Sequence, residues 1–253
     1  MSRYSRPTYT RIGYPPLRPG VKALVIACVV VFVLQIIANQ AGWAFTRFFG
    51  LVPSEALFHG HIWQLVTYIF LHDIGNPMHI LFNMLGLWMF GSDLEEHWGT
   101  RQFVRFFFIC GIGAGVIYTL LSRSDVPTIG ASGAVYGILL AFGVLFPDRI
   151  IYYIIFPIRA KYFVMIMGGL AFYASVTSSG SSIAHVAHLG GMACGYLYLR
   201  GRGLFHGRSR GVGVRRSLRS RYEEWKRARL RRKFEVYYNQ KHNDDDKWRR
   251  WKN

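Results

Sequence analysis

Residues 21–38 read VKALVIACVVVFVLQIIA, an apolar run whose one cation, Lys22, sits at its edge. Five more apolar segments follow, at about 77–95, 102–122, 131–147, 161–177 and 182–199. The chain has 253 residues, 51% hydrophobic and 17% charged. Of its 31 Lys and Arg residues, five fall in 1–22 and nineteen in 200–253, leaving seven for everything between. A soluble core of this size would show amphipathic faces and many more surface charges. The pattern predicts an all-α membrane protein built as a six-helix bundle. Three regions are expected: a basic N-terminal segment (1–20), the membrane domain (21–200) and a basic tail (201–253).

The cations also set an orientation. With both termini in the cytoplasm, the inner segments hold all Lys and Arg except Arg47 and Arg123. That agrees with the excess of positive charge on cytoplasmic loops. The formal charge of +18 is therefore read as membrane topology, not as a nucleic-acid footprint. Residues 1–21 are polar and contain four prolines, so the first run is expected to be a retained span, not a cleaved signal. Cys28, Cys110 and Cys194 fall in apolar segments at unrelated spacings. They suggest core residues and neither a disulfide framework nor a metal site.

The connection 39–76 is not a polar loop. It holds Trp43, Phe45, Phe48, Phe49, Phe58, Trp63, Tyr68 and Phe70, which suits a segment at the lipid–water interface. The fourth apolar segment is short. Ser132 to Phe146 makes about 22 Å of helix, against a hydrocarbon core of about 30 Å. Its start is expected below the outer surface, with the stretch SDVPTIGA dipping into the protein, where only protein or water can satisfy irregular backbone.

Polar residues within spans are costly and mark function. The candidates are His79 and Asn83 in the second segment, Ser132 in the fourth, and His185 and His188 in the sixth. All three segments run inward, and most of these groups lie near the segment starts, so they share a depth near the outer face. A serine hydroxyl needs a base, and neutral histidine is the usual one. No carboxylate lies in the later segments: Asp73 and Asp125 are in outer loops and Asp148 is on the opposite side. A Ser–His dyad is expected, with another group fixing the ring. Tyr136, one turn after Ser132, either packs against that ring or is a core aromatic. Ser132 opens a helix, so its own N–H points outward, and His79 and Asn83 share a face from which both can donate to an oxyanion. Gly133 and Gly137, and Gly191 and Gly195, are four apart, a spacing that lets membrane helices approach closely. His185 and His188 compete for the role of base, and spacing prefers His188 only modestly. H-E-x-x-H is absent.

These residues resemble the rhomboid family. GASGAVYG at 130–137 resembles its G-x-S-G nucleophile motif. AHLGG at 187–191, with Gly195, resembles its A-H-x-x-G-x-x-x-G motif, a match that selects His188. HILFN at 79–83 resembles its H-x-x-x-N pair, and GSDLEEHWGT at 91–100 its junction between spans 2 and 3. The similarity covers about 20–200. It implies a rhomboid-like bundle that cleaves other membrane proteins within or beside a transmembrane segment, without cofactor. It also implies Tyr136 against the histidine, and an oxyanion site from the Ser132 N–H, His79 and Asn83. Many relatives carry Trp-Arg in the first loop. Here the pair is Trp63-Gln64, so the loop's anchoring is expected to differ.

The rival reading is a non-proteolytic relative that binds membrane proteins for quality control; such relatives usually lack the serine or the histidine. A transporter is disfavoured by the lack of an internal repeat. The tail, with nineteen cations and six acids, is expected to be helical over about 217–238 or a solvated extension. Anionic lipid is a candidate partner. The expected partners are transmembrane substrates and the bilayer, and the expected location is a prokaryotic plasma membrane with both termini cytoplasmic.

Overall fold

The structure is a computed structural model that describes residues 15–122, 124–153, 156–177, 182–202 and 226. The chain divides into two units, Met1–Gly207 and Arg208–Asn253. Every element below belongs to the first. The basic N-terminal segment up to residue 14, and the expected tail helix apart from the helical Lys226, lie outside the described residues.

Helices α1 (Pro19–Gln40), α2 (Phe45–Phe49), α3 (Pro53–Phe58) and α4 (Gln64–Thr67) come first, and a 3₁₀ turn (Tyr68–Phe70) follows. Then come α5 (Pro77–Trp98), α6 (Thr100–Leu121), α7 (Ser132–Leu145), α8 (Ala160–Thr177) and α9 (Ser182–Gly201). The six long helices fall on the six apolar segments within three residues at each end. Three are long and apolar enough to cross a membrane by length and composition: α1, α6 and α8. In α5 and α9, His79, Asn83, His185 and His188 lower the hydropathy, and α7 has only 14 residues. The polar side chains that suggest chemistry therefore also weaken the hydropathy signal.

Local chemistry sets the helix starts. Pro19 and Pro77 occupy first-turn positions, where a missing N–H costs nothing. Asn76 caps α5 by accepting the Met78 N–H at 3.2 Å. The cap on α1 comes from far along the chain. The Glu95 carboxylate accepts the Gly20 and Val21 N–H groups at 2.8 Å each, and the Thr100 hydroxyl at 2.6 Å. An anion at a helix N-terminus also meets the favourable end of the dipole. Beside it, Asp93 pairs with Arg149 at 3.1 Å. The acidic junction 91–100 thus ties α1, α5 and the segment after α7 together.

Helix α7 is the central element, packed by α5, α6, α8 and α9. Its buried residues run along its whole length, from Gly133 to Gly143. The connection from α7 to α8 holds a short hairpin that the sequence reading did not anticipate. Strand β1 (Ile150–Tyr153) pairs antiparallel with β2 (Phe156–Arg159). Ile and Tyr in β1 favour extended backbone, although the run is too short to announce a strand by alternation.

The connection 39–76 folds as short helices with exposed apolar side chains, among them Trp43, Phe48, Phe58 and Ile62. Gln64 organises it from inside. It is fully buried (0% exposed). Its Oε1 accepts the Val52 N–H at 3.0 Å, and its Nε2 donates to the Arg47 and Phe48 carbonyls at 3.3 Å each. A neutral amide both donates and accepts, so it serves three backbone groups without burying a charge. Gln64→Ala strands those groups and should cost about 1–3 kcal/mol, read as a lower thermal-inactivation midpoint in micelles. Gln64→Glu keeps the acceptor and loses both donors, so it should also destabilise. A Gln64→Glu protein as heat-stable as the wild type would reject this role.

Candidate active site

The approach to α7 is pinned on two sides. Leu51 and Thr128 exchange backbone hydrogen bonds at 2.9 Å each way. The Gly130 N–H donates to the Tyr68 carbonyl at 2.9 Å, and the Tyr68 hydroxyl donates to the Gly111 carbonyl at 2.6 Å. Gly130 has φ +123°, and a Cβ there would sit 2.8 Å from the His79 Nε2. Only glycine suits both the backbone and the space. The segment 124–131 is thus held by protein partners, with Thr128, Ile129 and Gly130 half-buried or buried, and it delivers Ser132 as the first residue of α7.

Across from Ser132 stands His188 of α9. The Ser132 Oγ and the His188 Nε2 are 2.8 Å apart. What brings the helices this close is glycine. A Cβ on Gly191 would collide with the Gly133 carbonyl oxygen and lie 2.7 Å from its carbon. One turn on, a Cβ on Gly195 would meet the Gly137 Cα and carbonyl oxygen at 3.3 Å each. On its other side, Gly133 faces the Ala114 Cβ of α6, and Gly137 faces Cys110. The two glycine pairs of the sequence therefore mark one crossing of α7 with α9, wedged against α6.

The Tyr136 ring lies parallel to the His188 ring, 4.3 Å between centroids and 4° between planes. Among the described residues, the buried His188 Nδ1 has no hydrogen-bond partner. No described carboxylate orients it, so the flat face of Tyr136 limits the ring's tilt. His185 touches His188 edge-on, with centroids 5.6 Å apart, and makes no described hydrogen bond to Ser132.

His79 sits over Gly130 on the Ser132 side. The Gly130 Cβ position is 3.8 Å from the Ser132 Oγ and 2.8 Å from the His79 Nε2. Asn83 is buried and donates one N–H to the His79 carbonyl at 2.7 Å. Among the described residues its second amide hydrogen has no acceptor. Sequence reasoning missed the support behind His79. The buried Gln35 of α1 grips the His72 backbone from both sides, and the His72 ring lies 5.3 Å from that of His79. Gln35 stands in the sequence as the one amide within the apolar run 21–38, a costly choice in a span. Burial, and then His79, push the His72 pKa down to about 4. The ring is neutral near pH 7, and its Nδ1 faces the Phe70 carbonyl at 3.2 Å.

Residues 59–203 match the family model described as the Rhomboid domain. Among curated relatives, the chain is 30% identical over 153 residues to RHOMBOID-like protein 1 of Arabidopsis thaliana, covering 58% of this chain and 36% of the relative. It is 29% identical over 174 residues to Rhomboid protease GluP of Bacillus subtilis, covering 68% and 32%. It is 25% identical over 194 residues to Rhomboid protease GlpG of Yersinia pseudotuberculosis, covering 77% and 66%. The chain thus spans about a third of the length of the first two relatives and 66% of the third.

Proposed function

The chain belongs to the rhomboid family and is an integral membrane protein, and on that basis we propose that it is an intramembrane serine endopeptidase acting on transmembrane proteins within or beside their spans. Helices α1, α5, α6, α7, α8 and α9 are its six spans. The connection 39–76 lies at the interface, and both termini are cytoplasmic in a prokaryotic plasma membrane. The observation that carries the reading is the 2.8 Å contact between the Ser132 Oγ and the His188 Nε2.

The steps follow from that contact. The Ser132 Oγ attacks the scissile carbonyl carbon while its proton passes to His188 Nε2. The carbonyl electrons move onto oxygen. The oxyanion is held by the Ser132 N–H, the His79 Nε2–H and the free amide hydrogen of Asn83. As the tetrahedral species collapses, the imidazolium gives its proton to the leaving nitrogen, which leaves an acyl ester on Ser132. Water then gives a proton to His188 and attacks the ester carbonyl. As this second tetrahedral species collapses, the imidazolium returns the proton to the Ser132 Oγ and the carboxylic acid product leaves. Neutral His188 must carry its hydrogen on Nδ1 to accept at Nε2, and the Tyr136 stack keeps the ring in that pose.

A fluorophosphonate probe tests this. The wild-type protein in micelles should become covalently labelled at Ser132, as located by peptide mass spectrometry, and should cleave a single-span reporter. Absence of label together with an intact reporter would favour a binding protein without protease activity.

A further inference from the structure

The peptide unit joining His72 to Asp73 is held at both ends. Its carbonyl oxygen accepts from the Gln35 Nε2 at 3.1 Å. Its N–H, that of Asp73, donates to the His79 Nδ1 at 3.2 Å. Gln35 also accepts the His72 N–H through Oε1 at 2.9 Å and donates to the Thr46 hydroxyl at 3.3 Å. It is 1% exposed. Three of its four hydrogen-bonding sites are therefore used, all on the segment between α1 and α5. Beyond Asp73 the backbone turns tightly. The Asp73 Oδ1 accepts the Gly75 N–H at 2.9 Å, and Asn76 then starts α5.

A backbone N–H can only donate, so the His79 Nδ1 must be an acceptor and carries no hydrogen. The hydrogen of the neutral ring is then on Nε2. That nitrogen faces the space over Gly130 that the Ser132 Oγ also borders. Without the Asp73 N–H, either ring nitrogen could hold the hydrogen, and the ring could turn. The chain Gln35 Nε2–H to carbonyl, then N–H to Nδ1, also polarises along its length, because both bonds share one peptide.

We propose that Gln35 is a positioning residue: through the clamped 72–73 peptide it fixes His79 as the Nε2–H tautomer, aimed as a donor at the atom on which negative charge develops beside Ser132. This rests on the protease reading above. The Nε2–H bond is made to the oxyanion and only weakly to the ground-state carbonyl. Loss of Gln35 therefore lowers kcat and leaves KM nearly unchanged.

Two variants test it. Gln35→Met removes every hydrogen bond at similar volume, and Gln35→Glu keeps the acceptor for the His72 N–H but loses the donor to the His72 carbonyl. Each should lower kcat on a single-span reporter by roughly 10- to 100-fold. Neither should lower it further when His79 is already Ala, because the effect passes through that ring. In parallel, ¹⁵N-histidine NMR in micelles should show wild-type His79 with a bare Nδ1 and a protonated Nε2, the signals being assigned by their loss in His79→Ala. Both Gln35 variants should shift this pattern towards mixed tautomers. An unchanged tautomer in Gln35→Glu, or a full additive loss on the His79→Ala background, would overturn the proposal. The NMR reading needs no turnover. If the wild type neither cleaves nor takes the fluorophosphonate, the protease reading fails, while the tautomer data still decide what Gln35 does.

Discussion

Alanine at Ser132 should lower reporter cleavage by on the order of 10⁴-fold or more, and alanine at His188 by a similar factor. The double variant should be no worse than either single one. The reason is mutual dependence. An unactivated serine hydroxyl is a poor nucleophile near neutral pH, and an imidazole with no hydroxyl at 2.8 Å has no proton to take. Whichever partner is removed, the other becomes idle, so the losses do not multiply. Any rate that remains comes from the oxyanion donors and substrate binding. His185→Ala should be much milder, since its ring touches His188 only edge-on. Single-turnover cleavage of a fluorescent single-span substrate measures all four variants. If His185→Ala proved the more damaging, the assignment of the base would be wrong.

Gly191→Ala should lower cleavage by about 10²-fold although it touches no reacting group. Its Cβ would run into the Gly133 carbonyl, which is backbone of α7 and cannot rotate aside. The helices must separate by about 1 Å to restore van der Waals contact. That is enough to stretch the Ser132–His188 contact out of good hydrogen-bonding range, and a misplacement of this size costs about 10²-fold in rate. Gly195→Ala is the control. Its Cβ would lie 3.3 Å from the Gly137 Cα and carbonyl oxygen, a squeeze of a few tenths of an ångström, so the loss should be small. Fluorophosphonate labelling rates of the two variants, with thermal-inactivation midpoints beside them, make the comparison. Equal rates in both would mean that the crossing does not set the Ser–His distance.

Beyond these tests, the substitution of Gln for the family's usual Arg has a physical reading. In the sequence, Gln64 stood out as a missing charge. In the fold, it is a buried amide serving Val52, Arg47 and Phe48. At this position the first loop is held by neutral hydrogen bonds, which avoid the desolvation cost of an enclosed guanidinium.

Apolar runs and helix-starting residues are local properties of the chain, and they sufficed to place the six long helices within a few residues. The same holds for which polar residues share a face: His79 with Asn83, and Ser132 with Tyr136, follow from 3.6 residues per turn along a single helix. Distances between helices do not follow from periodicity. Spacing left His185 and His188 nearly level, and the family resemblance chose between them. The 2.8 Å contact itself depends on how deeply α9 sinks into α7 at Gly133 and Gly191. The hydrogen on the His79 ring is more remote still, since it is set by an amide on α1 and a peptide 37 residues later. Such a relation exists only after the chain has closed on itself, because directional hydrogen bonds depend on angles and tenths of an ångström that no pattern of residue types encodes.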